Sequence, residues 1–333
     1  MQEHALTNTL SDEHSSEKDE KMPLETEFCD QVTIGLCVKN CEKTIRACAE
    51  SILNQTYPKH LMEIIVVDGK SRDRTMNILT ELISKSNIVA SYFSDEGQGI
   101  ATARQIVLDK TKSEYIVFVD GDVLISTDFV SSQVSFMQNN SGIAMATGIF
   151  YYQKGIQKAL PAVLQSLSKY VGAIEWGRSK KHRGFPPNDA SVYLVKASRE
   201  VGGFDKTIKG ASEDEDIIIK FNRKGWSIAL NERAKFYALS RETWQALWLE
   251  YAWFGYGYHF LSHKYPGRHF FVRHLPLIYL YVGLKSSLFC YKLTLEKKSF
   301  LLPLLLFFCA SSQYFGFLKA HQEEYGHKNN QNN

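Results

Sequence analysis

The chain has 333 residues, 44% of them hydrophobic and 23% charged, and a formal net charge of +3 at pH 7. That length fills one large domain or two modest ones with ample core, and the near-balanced charge lacks the basic footprint of a nucleic-acid binder. Six cysteines occur without any Cys-x-x-Cys pair, which argues for buried, reduced thiols in a reducing, cytoplasmic compartment rather than zinc ligands or disulfides.

Residues 1–28 are polar and acidic with almost no apolar periodicity. Such a composition cannot offset its ordering entropy, so the segment reads as a disordered tail, and it lacks the apolar core of a signal peptide. Order begins with a strand at Val32–Val38. Asn40 is placed to cap a helix over Glu42–Asn54, whose Ile45, Ala49, Ile52 and Leu53 share one face. A second strand, Met62–Val67, ends in Asp68, and Ser71 is placed to cap a helix that runs to Lys85. A third strand (Ile88–Phe93) and a helix (Gly99–Lys110) follow. Alternating strands and helices with short polar links predict an α/β fold, a mostly parallel sheet with right-handed crossovers. No Gly-x-Gly-x-x-Gly follows the first strand and no Gly-x-x-x-x-Gly-Lys-Ser/Thr occurs, which disfavours dinucleotide enzymes and P-loop ATPases. Gly97-Gln-Gly99 is either a simple loop or a place for phosphate to approach backbone amides.

The next strand, Glu114-Tyr-Ile-Val-Phe-Val-Asp120-Gly-Asp122, is apolar until it ends in two carboxylates. An uninterrupted apolar run suits a strand covered on both faces, and ligands of open α/β sheets bind beyond the carboxyl ends of strands. Asp68, Asp120 and Asp122 therefore belong on one sheet edge. Two readings stand for the last pair: an Asp-Gly turn, or hard oxygen ligands for a divalent cation that also meets a substrate phosphate.

Beyond residue 130, Gln157 to Ala173 reads as a helix containing Pro161, followed by a basic stretch, Glu175 to Pro187. That stretch is a solvated loop, a mobile lid or a contact for an anionic lipid surface. Gly202-Gly-Phe-Asp205 then precedes Ser212-Glu-Asp-Glu-Asp216 and a helix ending at Gly225-Trp226. Ser212 with Glu215 has the spacing of a capping box, and a helix start at a sheet mouth is also a firm platform for a carboxylate that abstracts a proton. Trp244, Trp248, Tyr251 and Phe254 fall at helical spacing and read as core. His259 and His263 stand four apart, but without His-Glu-x-x-His they are not read as a zinc site. Leu275–Tyr291 and Phe300–Leu318 are strongly apolar and of borderline length, so they either cross a membrane as a hairpin or lie in its surface.

Taken in order, Ser51-Ile-Leu-Asn-Gln-Thr-Tyr-Pro58, Glu63-Ile-Ile-Val-Val-Asp68-Gly-Lys-Ser-Arg-Asp73, Gly99-Ile-Ala-Thr-Ala-Arg104 and Tyr115 to Asp122 resemble the donor half of a family 2 glycosyltransferase with the GT-A fold. The resemblance implies a Rossmann-like, mostly parallel sheet flanked by helices, here with a C-terminal hydrophobic helical segment. It implies that Lys39, Asp68, Arg104 and Asp120 face the nucleotide, and that Asp120 and Asp122 hold Mg²⁺ or Mn²⁺. The family's Gly-Phe-Asp and Glu-Asp acceptor-side signature maps onto Asp205, Glu213 and Asp214, making Asp214 the general base and Glu213 its acceptor-side neighbour. Gln105 replaces the usual Asn after Arg104, and Ala234 to Ser240 lacks the metal-binding histidine of many relatives. No Gln-x-x-Arg-Trp of processive synthases occurs. The expectation is an inverting, non-processive transferase that moves one sugar from a nucleoside-diphosphate sugar to a hydroxyl of a lipid-linked or saccharide acceptor. Its expected parts are a tail (1–28), a catalytic domain (29–269, dividing near 128), membrane-associating helices (270–320) at the cytoplasmic face of the cell membrane, and a polar tail (321–333). A polyprenyl-phosphate sugar synthase and a non-catalytic nucleotide-sugar-binding membrane scaffold are the competing readings.

Overall fold

The computed structural model describes residues 30–178, 186, 188–266 and 275–325. The expected N-terminal tail, most of the basic loop and the end of the polar tail lie outside these residues. The chain runs β1 (Val32–Val38), α1 (Ile45–Leu53), β2 (Met62–Asp68), α2 (Thr75–Ser84), β3 (Val89–Ser94), α3 (Ile100–Lys110) and β4 (Tyr115–Val119). It continues through β5 (Val123–Ile125), α4 (Phe129–Asn139), β6 (Ile143–Phe150), α5 (Leu160–Arg178), β7 (Ala190–Leu194), α6 (Val195–Glu200), α7 (Glu213–Lys224) and β8 (Ser227–Ala238). Three long helices close it: α8 (Trp244–Lys264), α9 (Pro276–Thr294) and α10 (Leu302–Tyr325).

One sheet orders the strands β3-β2-β1-β4-β7-β6-β8-β5. The first four pair in parallel, as the alternation of elements predicts, whereas β7 runs antiparallel to both β4 and β6. Alternation along each strand divides the apolar residues between two covers. Ile34, Leu36, Ile64, Val66, Val117 and Val119 meet Ile45, Ile52, Leu79 and Val130 from α1, α2 and α4. Ile65, Val67, Ile116 and Phe118 meet Ala103 and Val107 of α3 and Ile217 and Phe221 of α7 on the opposite side. Both faces are therefore dry, which is why β4 carries no polar residue until it leaves the sheet.

The expected caps are corrected by contacts from across the sheet. The Asn40 side chain accepts from the Arg72 amide (2.8 Å), and its own amide donates to Ser71 Oγ (2.9 Å), so neither residue caps a helix. Each locks the β1–α1 loop to the β2–α2 loop. At the start of α2 it is Asp73 that accepts from the Thr75 amide, at 3.0 Å.

The three C-terminal helices are fastened to the sheet domain by close backbone approaches. A Cβ on Gly257 of α8 would fall 1.8 Å from the Ala211 carbonyl oxygen, and one on Gly316 of α10 would fall 1.9 Å from that of Ala252. Helices α8 and α10 run in the same direction, with Ser312 Oγ bonded to the Trp248 carbonyl and Gly316 against Ala252. Pro303, at the start of α10, crosses α9 at Gly283, where a Cβ would come within 2.4 Å of the proline Cα. Because Ala211 directly precedes Ser212-Glu213-Asp214, Gly257 sets the distance between α8 and the acidic start of α7. Gly257→Ala is expected to destabilise the protein by about 1–3 kcal/mol through overpacking, read as a lower urea midpoint. Gly172→Ala, where a Cβ meets nothing within 4 Å, is expected to be neutral or stabilising by up to about 1 kcal/mol as a helix-interior substitution.

Candidate active site

β1 and β4 deliver their ends into a cleft of about 1240 Å³, and α7 and α8 form its other side. The turn after β4 closes with the Val123 amide donating to the Asp120 carbonyl at 3.0 Å. It is thus a tight turn, as its Asp-Gly pair predicts, and both carboxylates still line the cleft. Gly121 also leaves room: a Cβ would lie 3.0 Å from Cys41 Sγ, which would have to give way.

Asp122 Oδ2 holds Arg241 Nη1 at 3.0 Å, and Arg241 Nη2 reaches Glu250 of α8 at 3.1 Å. Arg241 follows the histidine-free run Ala234–Ser240 and places a cation where that run supplies no metal ligand. Asp120 accepts from Arg104 Nη2 at 3.2 Å, and Arg104 Nη1 meets Glu213 Oε1 at 3.1 Å. Arg104 and Glu213 are almost fully buried, with side chains 5% and 4% exposed, and the guanidinium lies over the Phe118 ring. Burial by itself would lower the Arg104 pKa, but Glu213 and Asp120 hold it well above its ordinary value. Burial pushes Glu213 up to about 8 against the opposing pull of Arg104. At Asp120 burial again raises the pKa, with Arg104 opposing and Asp189 adding to it.

Asp214 is the more open of the acidic pair on α7. Its Oδ1 accepts from the Glu215 amide at 2.8 Å, and Oδ2 from Asn188 Nδ2 at 3.3 Å. The capping box expected of Ser212 and Glu215 does not form. Ser212 takes a left-handed backbone (φ 84°) with no side-chain cap, and Glu215 accepts from the Tyr258 hydroxyl at 3.0 Å instead. A non-glycine residue held there stores backbone strain at a cost of roughly 1–3 kcal/mol, and it turns α7 so that Asp214 faces the cleft.

Lys39 lines the cleft with its stem against Gly69. Asp68 stands on the same sheet edge, but its carboxylate turns back on the Ser71 amide (3.1 Å), outside the cleft's lining residues. The amides of Gly97 and Gly99 are taken by the Asp95 carboxylate at 2.6 and 3.1 Å, so this loop is held by its own side chain. Gln105 accepts from the Phe204 amide at 2.7 Å, tying the Gly-Gly-Phe segment to α3. The core expected of these aromatic residues does not form as such: Trp244 is 42% exposed and with half-buried Trp248 packs edge-on against Phe308, whereas Phe254 lines the cleft with Trp253 and Tyr258. Sequence patterns did not single out Asn188, Arg241 or Glu250, whose contacts with Asp214, Asp122 and Gln165 come from segments distant in the chain.

The family model described as glycosyl transferase family 2 matches residues 33–202, just over half of the chain. An uncharacterized glycosyltransferase of Haemophilus influenzae is 35% identical over 109 residues, 33% of this chain and 43% of that protein. A UDP-Glc:α-D-GlcNAc-diphosphoundecaprenol β-1,3-glucosyltransferase of Escherichia coli is 32% identical over 123 residues, 37% of this chain and 47% of that one. The matches thus span less than half the length of either curated relative. The solved mannosyltransferase of Pyrobaculum calidifontis, in complex with GDP-Man and Mn²⁺, superposes with a TM-score of 0.58 at 14% identity, covering 94% of both chains.

Removing the buried cation leaves two carboxylates without their partner. Arg104→Met is expected to cost about 3 kcal/mol or more, the typical effect of breaking a buried ion pair from one side. Adding Glu213→Gln should recover part of that loss, a coupling that a double-mutant cycle in urea measures.

Proposed function

The chain belongs to the family 2 glycosyltransferases, and on that premise we propose that it transfers one sugar from a nucleoside-diphosphate sugar to an acceptor hydroxyl with inversion at the anomeric carbon. One observation carries this reading: Asp122 and Asp214, far apart in sequence, line the same cleft, and Arg104 joins their neighbours Asp120 and Glu213. The two acidic groups are thereby held at fixed positions, one for the donor diphosphate and one for the acceptor.

The donor set fits a divalent cation. Asp120 and Asp122 offer hard carboxylate oxygens, and Asp122 already holds a positive partner in Arg241 at 3.0 Å. Asp122 would hold Mg²⁺ or Mn²⁺ with Asp120 beside it, and the cation would stabilise charge on the departing diphosphate as a Lewis acid. Arg241, held by Asp122 and Glu250, and the exposed Lys39 would supply positive charge for the same phosphates. Asp214 takes the proton of the acceptor hydroxyl, whose oxygen then bonds to the anomeric carbon from the face opposite the diphosphate as the nucleoside diphosphate leaves. Glu213, buried against Arg104, positions Asp214 rather than acting as the base. Trp253 and Phe254 provide apolar surface on the acceptor side, where a sugar ring can stack.

Among the described residues, one stretch, Lys297–Glu324, is long and apolar enough to cross a membrane. Leu277, Leu284 and Leu288 of α9 and Leu304 of α10 are 75%, 60%, 60% and 63% exposed. Because α10 is fixed to α8 along its length, we read α9 and α10 as lying in the membrane face with these leucines in the lipid. A lipid-linked acceptor, like that in the name of the Escherichia coli relative, would then meet the cleft at the membrane surface.

Thermal-shift titration with UDP, GDP, CDP and dTDP, with and without Mn²⁺, tests the donor site. One nucleotide is expected to stabilise the protein only with metal, by about 2.7 kcal/mol at a hundredfold excess over Kd, and Asp122→Asn is expected to abolish the effect. Asp214→Asn should keep that stabilisation and lose turnover by about 100-fold or more. Near-full activity in Asp214→Asn would remove the base and point to a phosphate acceptor that needs none. No stabilisation by any nucleotide would overturn the reading.

A further inference from the structure

We propose that His259, His263 and His321 form a second metal site, for Zn²⁺, that joins the end of α8 to the end of α10. The two histidines of α8 lie four residues apart and share a face, and α10 brings the third from 58 residues beyond His263. One ligand nitrogen from each ring can be chosen so that all three lie within 4.8 Å of one another. His259 Nε2 and His321 Nδ1 are 3.3 Å apart, which is roughly the edge of a tetrahedron with Zn–N bonds of about 2.0–2.1 Å. The ring centroids of His259 and His263 are 4.5 Å apart, so small side-chain rotations bring the third nitrogen to the same centre.

The surroundings suit a cation held by neutral imidazoles. His259 is only 2% exposed, so its ring is held in place before a cation arrives, and the neutral imidazole is the form that ligates a metal. Phe317 and Phe260 pack edge-on against it, at 5.2 and 5.5 Å, and wall off one side. His263 and His321 are exposed and give access from solvent. Parallel α8 and α10 both end here, so their carbonyl ends add favourable potential for positive charge. Glu324, three residues after His321, adds a carboxylate near the site and is bonded to Lys209 at 3.0 Å. Nitrogen ligands in threes select zinc and its transition-metal neighbours over the Mg²⁺ or Mn²⁺ suited to carboxylates. None of the three histidines lines the catalytic cleft, so the site is distinct from the Asp122 centre and its purpose is to clip α10, and the apolar surface it carries, to α8.

The full chain, stripped with a chelator, is titrated with Zn²⁺ against a chromophoric indicator, and in parallel with Co²⁺ by visible absorption. The expected result is one Zn²⁺ per chain at a Kd on the order of micromolar or tighter. It should be unchanged in Asp122→Asn and weakened about 100-fold or more in His263→Ala and in His321→Ala. Co²⁺ should give the intense bands of a tetrahedral, nitrogen-rich site. Both substituted side chains are exposed, so the metal-free variants should melt like the metal-free wild type. Absence of stoichiometric binding to the wild type, binding indifferent to both histidine variants, loss in Asp122→Asn, or a weak octahedral Co²⁺ spectrum would each overturn the proposal.

Discussion

The arrangement of the cleft depends on a buried cation shared by two acidic groups from different halves of the chain. Asp120 comes from the end of β4 and Glu213 from the first residue of α7, and Arg104 of α3 lies between them. Two carboxylates this close in a poorly solvated place repel and bind protons more readily, and a positive charge fixed between them opposes both effects without cancelling the burial that raises Glu213. A guanidinium suits the task because its planar fork addresses both partners and it cannot give up its charge. The bond also has directional consequences. It draws the start of α7 against the sheet edge, and the left-handed Ser212 and the close contact of Gly257 with Ala211 complete the placement. Asp214 then projects into the cleft opposite Asp122, while Glu213 is held inside.

Elements whose information is local were legible in the sequence. β1 begins and ends where its apolar run does, and β4 stops where Asp120 breaks the run. The sheet edge that collects Asp68, Asp120 and Asp122 follows from strand–helix alternation alone. Caps were poorly legible, since Asn40, Ser71 and Ser212 all have the chemistry of an N-cap. In the folded chain the first two find each other across the sheet, and Ser212 is held in the left-handed region, away from the extended backbone typical of an N-cap. A short polar side chain can satisfy several competing partners, and tertiary contacts decide among them.

The same limit applies to the site. Arg241 reads as an ordinary loop residue until β8 places it beside Asp122 and α8 places Glu250 beside it. Gln105 reads as a departure from a family pattern until its carbonyl is seen to receive the Phe204 amide, with Gly203 leaving the necessary space. The histidines of α8 had no third partner within reach of any sequence pattern, because His321 reaches them only through the packing of α10. Each case is a pair or trio completed by a distant segment, and such partners carry no periodic or spacing signal along the chain.

Helix α8 joins these features because its faces do different work. Ala246, Glu250, Phe254 and Tyr258 recur at helical spacing along the cleft. Trp248, Ala252 and His259 recur along the contact with α10. At its end, Lys264 and Tyr265 grip Asp216 of α7 from the inside. A rigid helix with the cleft on one side and the apolar α9–α10 surface on another fixes the height of the cleft above whatever that surface meets. An acceptor anchored by a lipid tail has its reactive hydroxyl at a set distance from the membrane. A transferase that serves it gains more from a fixed geometry than from a flexible tether, since the hydroxyl must arrive in line with the anomeric carbon. The glycine contacts that remove any slack between α8, α10 and the α7 loop are what such a requirement would select.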